Sequence, residues 1–307
     1  MPIPVIIDCD PGTDDAFALM LAFASPELDV RAITVVGGNV GLSHTLRNAL
    51  CLRALARRTD VPVFAGADRP LLGSFQNEPI HGPDGLCAVG LPEPGTPEAE
   101  LAVDAIRRLL REAADPVTLV GIGPATNLAL ALSTEPPLVE KIGQFVLMAG
   151  AWGEGNATPS AEFNAASDPE ALQIILNTGR PITLVTLEVT AQALATPQRR
   201  ARLRSPASGE CLRTLCDIQD RVPPSARLGG CGAALHDPCA IAWLLQPSLF
   251  TSRRCAVRVD LGPGPSRGRT LIDRWNRIGD PANVTVLETL DTDGFFALLE
   301  ERLSRLP

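Results

Sequence analysis

The sequence predicts an α/β protein, in which one domain is built on a mostly parallel, Rossmann-like sheet with helices on both faces. Three observations support this prediction. Short apolar runs alternate with segments of helical pattern over the first two-thirds of the chain, as consecutive βαβ units require. The 307 residues can bury one large core. No repeat, low-complexity tract or clear linker divides residues 1–307.

The predicted elements follow one another in a regular order. Residues 5–7 form a predicted buried strand, and the helix predicted at 16–23 ends before Pro26, because the residue before a proline disfavours the helical conformation. The strands predicted after it are 30–36, 61–64, 116–120, 145–148 and 182–185. The remaining predicted helices are 42–58, 97–114, 124–132 and 168–178. Ligands of such sheets bind at the carboxyl ends of the strands.

Three segments interrupt this alternation. Residues 66–95 and 150–167 are rich in glycine and other loop-forming residues, and long loops in compact domains tend to carry function. The segment 204–236 combines a helical stretch with two consecutive prolines and a glycine-rich turn. We therefore expect functional residues in these segments as well as at the strand ends.

Composition and charge exclude several classes of protein. The net charge of −8 and the pI near 5.0 argue against a nucleic-acid partner, which would require a basic face. No apolar run approaches the length of a membrane span. The N-terminus has no basic region, and its apolar run ends at Asp8, unlike a secretory signal. The eight cysteines form no C-x-x-C pair, which predicts reduced thiols in a cytoplasmic protein without a zinc site.

Four carboxylates are concentrated after the first predicted strand, at Asp8, Asp10, Asp14 and Asp15. The turn at Pro11–Gly12 is expected to bring the two pairs together, where unpaired charges would repel one another. A hard divalent cation such as calcium would relieve this repulsion. The alternative is helix capping, because aspartate is favoured at helix N-termini.

An Asp-x-Asp sequence after an apolar strand also begins the haloacid-dehalogenase-type phosphatases, which use a nucleophilic aspartate and Mg²⁺. Their motif continues with threonine or valine at the fifth position. Here Gly12 occupies that position and Thr13 comes one place late, so the phosphatase interpretation is a distant second.

The run DCDPGTDDAFAL at residues 8–19 resembles the N-terminal signature of the nucleoside hydrolases, the inosine–uridine-preferring and related ribohydrolases. Further motifs similar to that family follow in the same order. They are Gly37-Gly38-Asn39, His81-Gly82-x-Asp84-Gly85-Leu86, Gly123-Pro124-Ala125-Thr126-Asn127-Leu128, Gly155-Asn156-x-Thr158-Pro159 with Glu162-Phe163-Asn164, and His236-Asp237-Pro238. Motifs in this number and order identify the chain as a member of the family, which implies the nucleoside hydrolase fold.

The resemblance implies calcium-dependent hydrolysis of the N-glycosidic bond of a ribonucleoside, in purine or pyrimidine salvage. Calcium would be held by Asp10, Asp15, Asp237 and the main-chain carbonyl of Ile122, with Asp10 also acting as the base toward water. The residues implied to bind ribose are Asp14, Asn39, Asn156, Glu162 and Asn164. The family also implies a homo-oligomer, either a dimer or a tetramer.

The leaving base is expected to meet one or both of two histidines. His236 and His81 lie in family-like motifs, and histidine exchanges protons near neutrality. His236 is the first candidate for the leaving-group acid and His81 the second. The chain has no tyrosine, which some relatives carry before the His-Asp-Pro motif. Arg221 or Arg227 is a possible substitute, and base specificity stays open.

Several residues also allow simpler interpretations. Asn39 fits a turn, Asp237 fits a helix N-cap, and Trp152 fits either a pocket wall or ordinary packing. Glu162 and Asn164 alternate, so both would face one side of an extended segment.

Two other functions compete with the first. The chain could hydrolyse another N-riboside, such as a nicotinamide or modified nucleoside. It could also be a non-catalytic calcium-dependent ribose-binding protein, although binding alone would not need Asp10 as a base.

Overall fold

The strands of the computed structural model, which describes residues 1–204 and 209–307, follow the predicted order over the first two-thirds of the chain. Their bounds are β1 Ile3–Cys9, β2 Leu28–Val35, β3 Val63–Ala65, β4 Val117–Gly121, β5 Ile142–Met148, β6 Ile182–Val185, β7 Leu194–Ala195, β8 Ala233–Ala234, β9 Phe250–Val259, β10 Thr270–Asp273 and β11 Val284–Leu290.

The α-helices connect most of these strands, singly or in pairs. Their bounds are α1 Thr13–Phe23, α2 Leu42–Leu55, α3 Ala102–Glu112, α4 Thr126–Thr134, α5 Phe163–Ser167, α6 Pro169–Leu176, α7 Leu187–Thr190, α8 Pro197–Leu203, α9 Glu210–Arg221, α10 Pro238–Leu245 and α11 Thr292–Leu303. In the part of the chain that the structure describes, no helix is both long and apolar enough to cross a membrane.

Among the described residues, nine strands form one sheet in the order β10-β9-β11-β6-β5-β4-β1-β2-β3. Strands β1 to β6 and β11 are parallel to one another, whereas β9 and β10 are antiparallel to their neighbours. Chain order reverses between β1 and β4, which lie side by side in the interior of the sheet. Such a reversal opens a crevice at the carboxyl ends of the two strands, where ligands of this fold class bind.

Helices cover both faces of the sheet, as the sequence predicts. On one face, α1, α2, α9, α10 and α11 pack on the side of β1 that carries Val5 and Ile7. On the other face, α3, α4 and α6 pack on the side that carries Ile6. The apolar run of β1 is buried on both sides for this reason, and the prediction of an α/β fold is confirmed.

The C-terminal third contains elements that the sequence pattern did not predict. The antiparallel pair β9–β10, the parallel strand β11 and helix α11 extend the sheet and cover one of its faces. The segment predicted to be mixed contains α9, a short 3-10 helix at Ala226–Leu228 and β8. Its residues 205–208 lie outside the described residues.

Candidate active site

A cavity of about 300 Å³ lies at the carboxyl ends of the parallel strands. The ends of β1, β2, β4 and β5 supply its floor, and segments 78–81, 155–164 and 219–236 supply its walls. The structure therefore brings together residues that are far apart in the sequence. Every predicted site residue except Asp15 lines it: Asp10, Asp14, Asn39, His81, Ile122, Asn156, Glu162, Asn164, His236 and Asp237.

The Asp10 carboxylate lies directly after β1 and is fully buried. Its Oδ2 accepts a hydrogen bond of 2.8 Å from the main-chain N–H of Asn39. Its Oδ1 is buried and has no hydrogen-bond partner among the described residues. A Cβ atom on Gly38 or Gly123 would collide with this carboxylate, so glycine at both positions allows Asp10 to occupy the crevice.

Asp15, in the first turn of α1, is held in the same way as Asp10, with one carboxylate oxygen hydrogen-bonded and the other unpaired within the described chain. Its Oδ2 accepts hydrogen bonds from the Gly12 N–H at 2.9 Å and from Asn39 Nδ2 at 3.1 Å. Its Oδ1, like that of Asp10, is buried without a partner in the described part of the chain. The same Asn39 amide group donates to the main-chain carbonyl of Asp10 at 3.0 Å. Asn39 therefore joins the two acids and is more than a turn residue.

Asp237 completes an acidic group with the first turn of α1. Carboxylate oxygens of Asp14, Asp15 and Asp237 lie within 4.8 Å of one another. Asp237 occupies the N-cap position of α10, but its side chain makes no capping hydrogen bond. Burial, reinforced by neighbouring negative charges, raises the pKa of Asp15 to about 7 and the pKa values of Asp10 and Asp237 well above their usual range. This cluster could hold a metal ion.

Asp8 is not part of this group, contrary to the expectation from the turn at Pro11–Gly12. Its Oδ1 accepts hydrogen bonds from Thr34 Oγ1 at 2.5 Å and from Asn127 Nδ2 at 2.9 Å. Asp8 still belongs to β1, whereas Asp10 lies beyond the strand end and turns into the crevice. Asp8 therefore ties β1 to β2 and α4 beneath the site.

Glu162 and Asn164 both line the cavity, but the prediction of an extended segment was wrong. Glu162 is the N-cap of α5, and its carboxylate accepts hydrogen bonds from three main-chain N–H groups, those of Gly150, Asn164 and Ala165. Asn164 Nδ2 donates to the carbonyls of Ile122 at 3.1 Å and Met148 at 2.9 Å. The E-x-N pattern thus reflects a helix cap, which holds the ends of β4 and β5 in place.

The loop after β5 brings Asn156 to the cavity edge. Asn156 Oδ1 accepts a hydrogen bond from the Phe163 N–H at 2.9 Å, and the residue is otherwise exposed. The start of this loop is fixed by Thr270 of β10, whose Oγ1 accepts from the Ala151 N–H at 2.9 Å and donates to the Ala151 carbonyl at 2.8 Å. The unpredicted C-terminal hairpin therefore supports a wall of the site.

The two predicted histidines lie on different walls. His81 Nδ1 is 3.1 Å from the main-chain N and 2.8 Å from Oγ1 of Thr13. His236 Nδ1 is 2.6 Å from Thr190 Oγ1, and the His236 N–H donates to Asp14 Oδ2 at 3.2 Å. Burial lowers the pKa of both imidazoles, partly opposed by the nearby Asp14 charge.

Sequence reasoning missed several residues at the site. Glu78 and Gln219 line the cavity, and Thr13 and Thr190 hold the histidines. Gln219 lies on the buried side of α9, with Leu215 and Ile218. A polar residue within a buried apolar stripe was a usable signal for it. Glu78 lies in a loop without periodicity and gave no such signal.

The two arginines considered in place of a tyrosine, and the Trp152 side chain considered as a pocket wall, occupy different positions relative to the cavity. Arg221 Nη1 donates to the carbonyls of Cys87 and Ala88 and does not line the cavity. Arg227 does line it and donates to the Glu154 carbonyl at 2.9 Å. The Trp152 ring packs against the Arg274 guanidinium, 4.5 Å from the ring centre, and is not a cavity wall. Of the three, only Arg227 is placed to meet a substrate.

The chain belongs to the inosine-uridine preferring nucleoside hydrolase family, whose model matches residues 5–297. The pyrimidine-specific ribonucleoside hydrolase RihA of Escherichia coli K12 is 44% identical to it, with 99% of both chains covered.

Solved structures give the same result. A plant nucleoside hydrolase, PpNRh1, has 35% identity and a TM-score of 0.91 over 99% of both chains. A purine-preferring ribonucleoside hydrolase from Gardnerella vaginalis has 32% identity and a TM-score of 0.88 over 98% of both chains. These findings confirm the predictions of the family, the fold and an N-ribohydrolase enzyme.

Proposed function

We propose that this ribonucleoside hydrolase is calcium-dependent and prefers pyrimidine ribonucleosides. One observation carries the metal requirement. Asp10 and Asp15 each direct one oxygen to main-chain or amide donors and leave the other buried without a partner in the described chain. A buried, unpaired charged oxygen is costly, and a cation between the two acids and Asp237 would remove that cost.

The chemistry of the donors fits calcium. Asp10, Asp15 and Asp237 offer carboxylate oxygens, and Ile122 offers a main-chain carbonyl at the cavity. Calcium takes six to eight oxygen ligands in a flexible geometry, so ribose hydroxyls and water would complete the shell. When bound, the ion would orient these groups and lower the pKa of the water.

The carboxylates and amides around the ion have distinct roles in this proposal. Asp10 accepts the proton of the attacking water. Positive charge develops on the ribose as the bond to the base breaks, and the carboxylates nearby stabilise that charge. The ribose hydroxyls bind Asp14, Asn39, Asn156, Glu162 and Asn164, which line the cavity together.

The base occupies the part of the cavity lined by α9 and the segment before α10. His236 assists departure of the base, because it lies beside Asp237 and lines the cavity. The Gln219 amide can both donate and accept a hydrogen bond, which suits the adjacent donor and acceptor groups of a pyrimidine. The pyrimidine specificity printed for the 44%-identical relative points in the same direction.

The wider biological setting is proposed from the family resemblance. We propose a homo-oligomer, dimer or tetramer, that serves nucleoside salvage in the cytoplasm. The acidic charge of −8 offers no support for a nucleic-acid partner.

A panel of nucleosides tests this proposal. Release of free ribose is measured for uridine, cytidine, inosine, adenosine and nicotinamide riboside, with calcium and after thorough chelation. We expect the highest kcat/KM with uridine or cytidine, and activity that disappears on chelation and returns with calcium. Full activity in chelator would refute the metal requirement, and a preference for nicotinamide riboside would favour the alternative substrate class.

A further inference from the structure

The contact between Thr13 and His81 restricts where the imidazole can carry its proton. His81 Nδ1 faces the main-chain N–H of Thr13 at 3.1 Å and its hydroxyl at 2.8 Å. A main-chain N–H can only donate. His81 Nδ1 must therefore act as the acceptor, which leaves the ring proton on Nε2.

The position of Thr13 in the fold strengthens this restriction. Thr13 is the first residue of α1, an eleven-residue helix, and the N–H groups of a first turn have no partner within their helix. The same helix end carries partial positive charge, which disfavours an imidazolium beside it. His81 itself is buried, and loss of hydration disfavours the charged ring more than the nearby Asp14 carboxylate favours it, so that the pKa of His81 is lowered.

We infer that Thr13 holds His81 as a neutral imidazole with its proton on Nε2, so that His81 serves the bound nucleoside as a hydrogen-bond donor and not as a proton donor. Thr13 is then a positioning residue that acts through His81. The inference rests on the proposed use of this cavity for the nucleoside. A neutral imidazole that gave up its Nε2 proton would become an imidazolate, which is not accessible near neutral pH.

His236 is held in a different way. Its Nδ1 faces the hydroxyl of Thr190 at 2.6 Å, and a hydroxyl can donate or accept. The Thr190 hydroxyl also lies 3.4 Å from the Leu187 carbonyl, to which it can donate. His236 can therefore keep this contact with either ring nitrogen protonated, whereas His81 cannot. The Thr190 hydroxyl thus allows either tautomer of His236, whereas the Thr13 N–H allows only one tautomer of His81.

Nuclear magnetic resonance tests the proton position without substrate, and so independently of the proposed function. The chain has only three histidines, so a ¹⁵N-histidine-labelled sample with calcium gives few signals, which single substitutions assign. We expect His81 to show a protonated Nε2 and an unprotonated Nδ1 from about pH 6 to about pH 8, around the usual histidine pKa. A protonated Nδ1 anywhere in that range would overturn the inference.

Two substitutions of similar shape test the role in catalysis. His81→Gln places an amide donor near the position of Nε2, whereas His81→Asn places its amide near Nδ1 and leaves the nucleoside without a donor. We expect His81→Gln to keep kcat/KM within about tenfold of the unmodified enzyme, the range of one neutral hydrogen bond. His81→Asn should lose about a hundredfold, as when a preorganised donor is removed. Equal losses in the two variants would overturn the assignment of Nε2 as the hydrogen-bond donor to the nucleoside.

Variants of Thr13 separate positioning from general packing. Thr13→Val keeps the main-chain N–H, so the His81 signals should stay as in the unmodified protein. Thr13→Pro removes both donors at a helix position where proline is well tolerated, and both tautomers of His81 should then appear. An unchanged His81 spectrum in Thr13→Pro would overturn the positioning role.

Discussion

The end of the cavity proposed to bind the metal (the metal end) and the end proposed to bind the base (the base end) are built in contrasting ways. At the metal end, Asp10 and Asp15 are oriented by main-chain N–H groups and by Asn39, beside the ends of β1 and β2. At the base end, the walls come from α9 and the short segments that follow it, outside the nine-stranded sheet. In the proposed function, metal binding therefore depends on residues at the strand ends, and base recognition depends on side chains that lie outside the sheet.

The largest effect is expected at the metal end. Asp10→Asn should lower kcat/KM by at least about a thousandfold, even with excess calcium, because it removes both a ligand charge and the general base. Asp60→Asn is a matched control, since Asp60 is exposed. It precedes the amino end of β3, whereas the cavity lies at the carboxyl ends of the strands. Near-normal activity of Asp10→Asn would mean that another group serves as the base.

At the base end, the effect of a substitution should depend on the leaving group. His236→Ala should slow uridine hydrolysis by about a hundredfold or more, as expected for loss of general acid assistance. A nitrophenyl riboside releases a stable phenolate and should be cut at nearly the normal rate. Equal losses on the two substrates would indicate that His236 maintains the site and does not assist departure.

A smaller effect is expected when the substrate is changed at the metal end. The 2′-deoxynucleosides should be cut at least about tenfold more slowly than ribonucleosides, because the groups facing the 2′-hydroxyl are left unpaired. The comparison requires kcat/KM for uridine and 2′-deoxyuridine under the same conditions. Similar values would contradict the assignment of the carboxylates and amides to ribose.

The smallest effect concerns stability in chelator-treated protein. The pKa of Asp15 is raised to about 7 in the fold from an ordinary 3.8, so the uncharged form is favoured there. Its contribution to stability is present at low pH and is lost as pH rises through that range. The Tm should therefore fall between about pH 5 and about pH 8, and calcium should raise it more at the higher pH. An equal calcium effect at both values would argue against a cation among these acids.

Local pattern was enough to predict the first two-thirds of the fold. The apolar runs of β1, β5 and β6 are bounded by glycine, proline or charged residues, and both faces of these strands are buried. In β9, a run of polar and exposed residues from Thr251 to Arg254 hides the alternation. Its pairing with β10 and β11 is a long-range event that no local window contains.

The candidate site could likewise be predicted only in part from the sequence. Asp10, Asn39 and Asp237 stand in short motifs at strand or helix ends, and such positions were visible in the sequence. The departure of Asp8 from the acidic group was not visible, because it depends on Thr34 and Asn127 from other elements. The sequence named candidate residues, but their hydrogen-bond partners required the fold.

The distance in sequence between contacting site residues has a consequence for biosynthesis. The His236 N–H meets Asp14 across 222 residues, and Thr270 meets Ala151 across 119. A ribosome that has released the first strands and helices has exposed an acidic crevice, but not Asp237 or the hairpin that supports the wall. Because large chains form their parts during synthesis, this cluster stays incomplete until the segment that carries Asp237 has been made. Tight metal uptake should therefore be a property of chains that include Asp237 and not of shorter nascent intermediates.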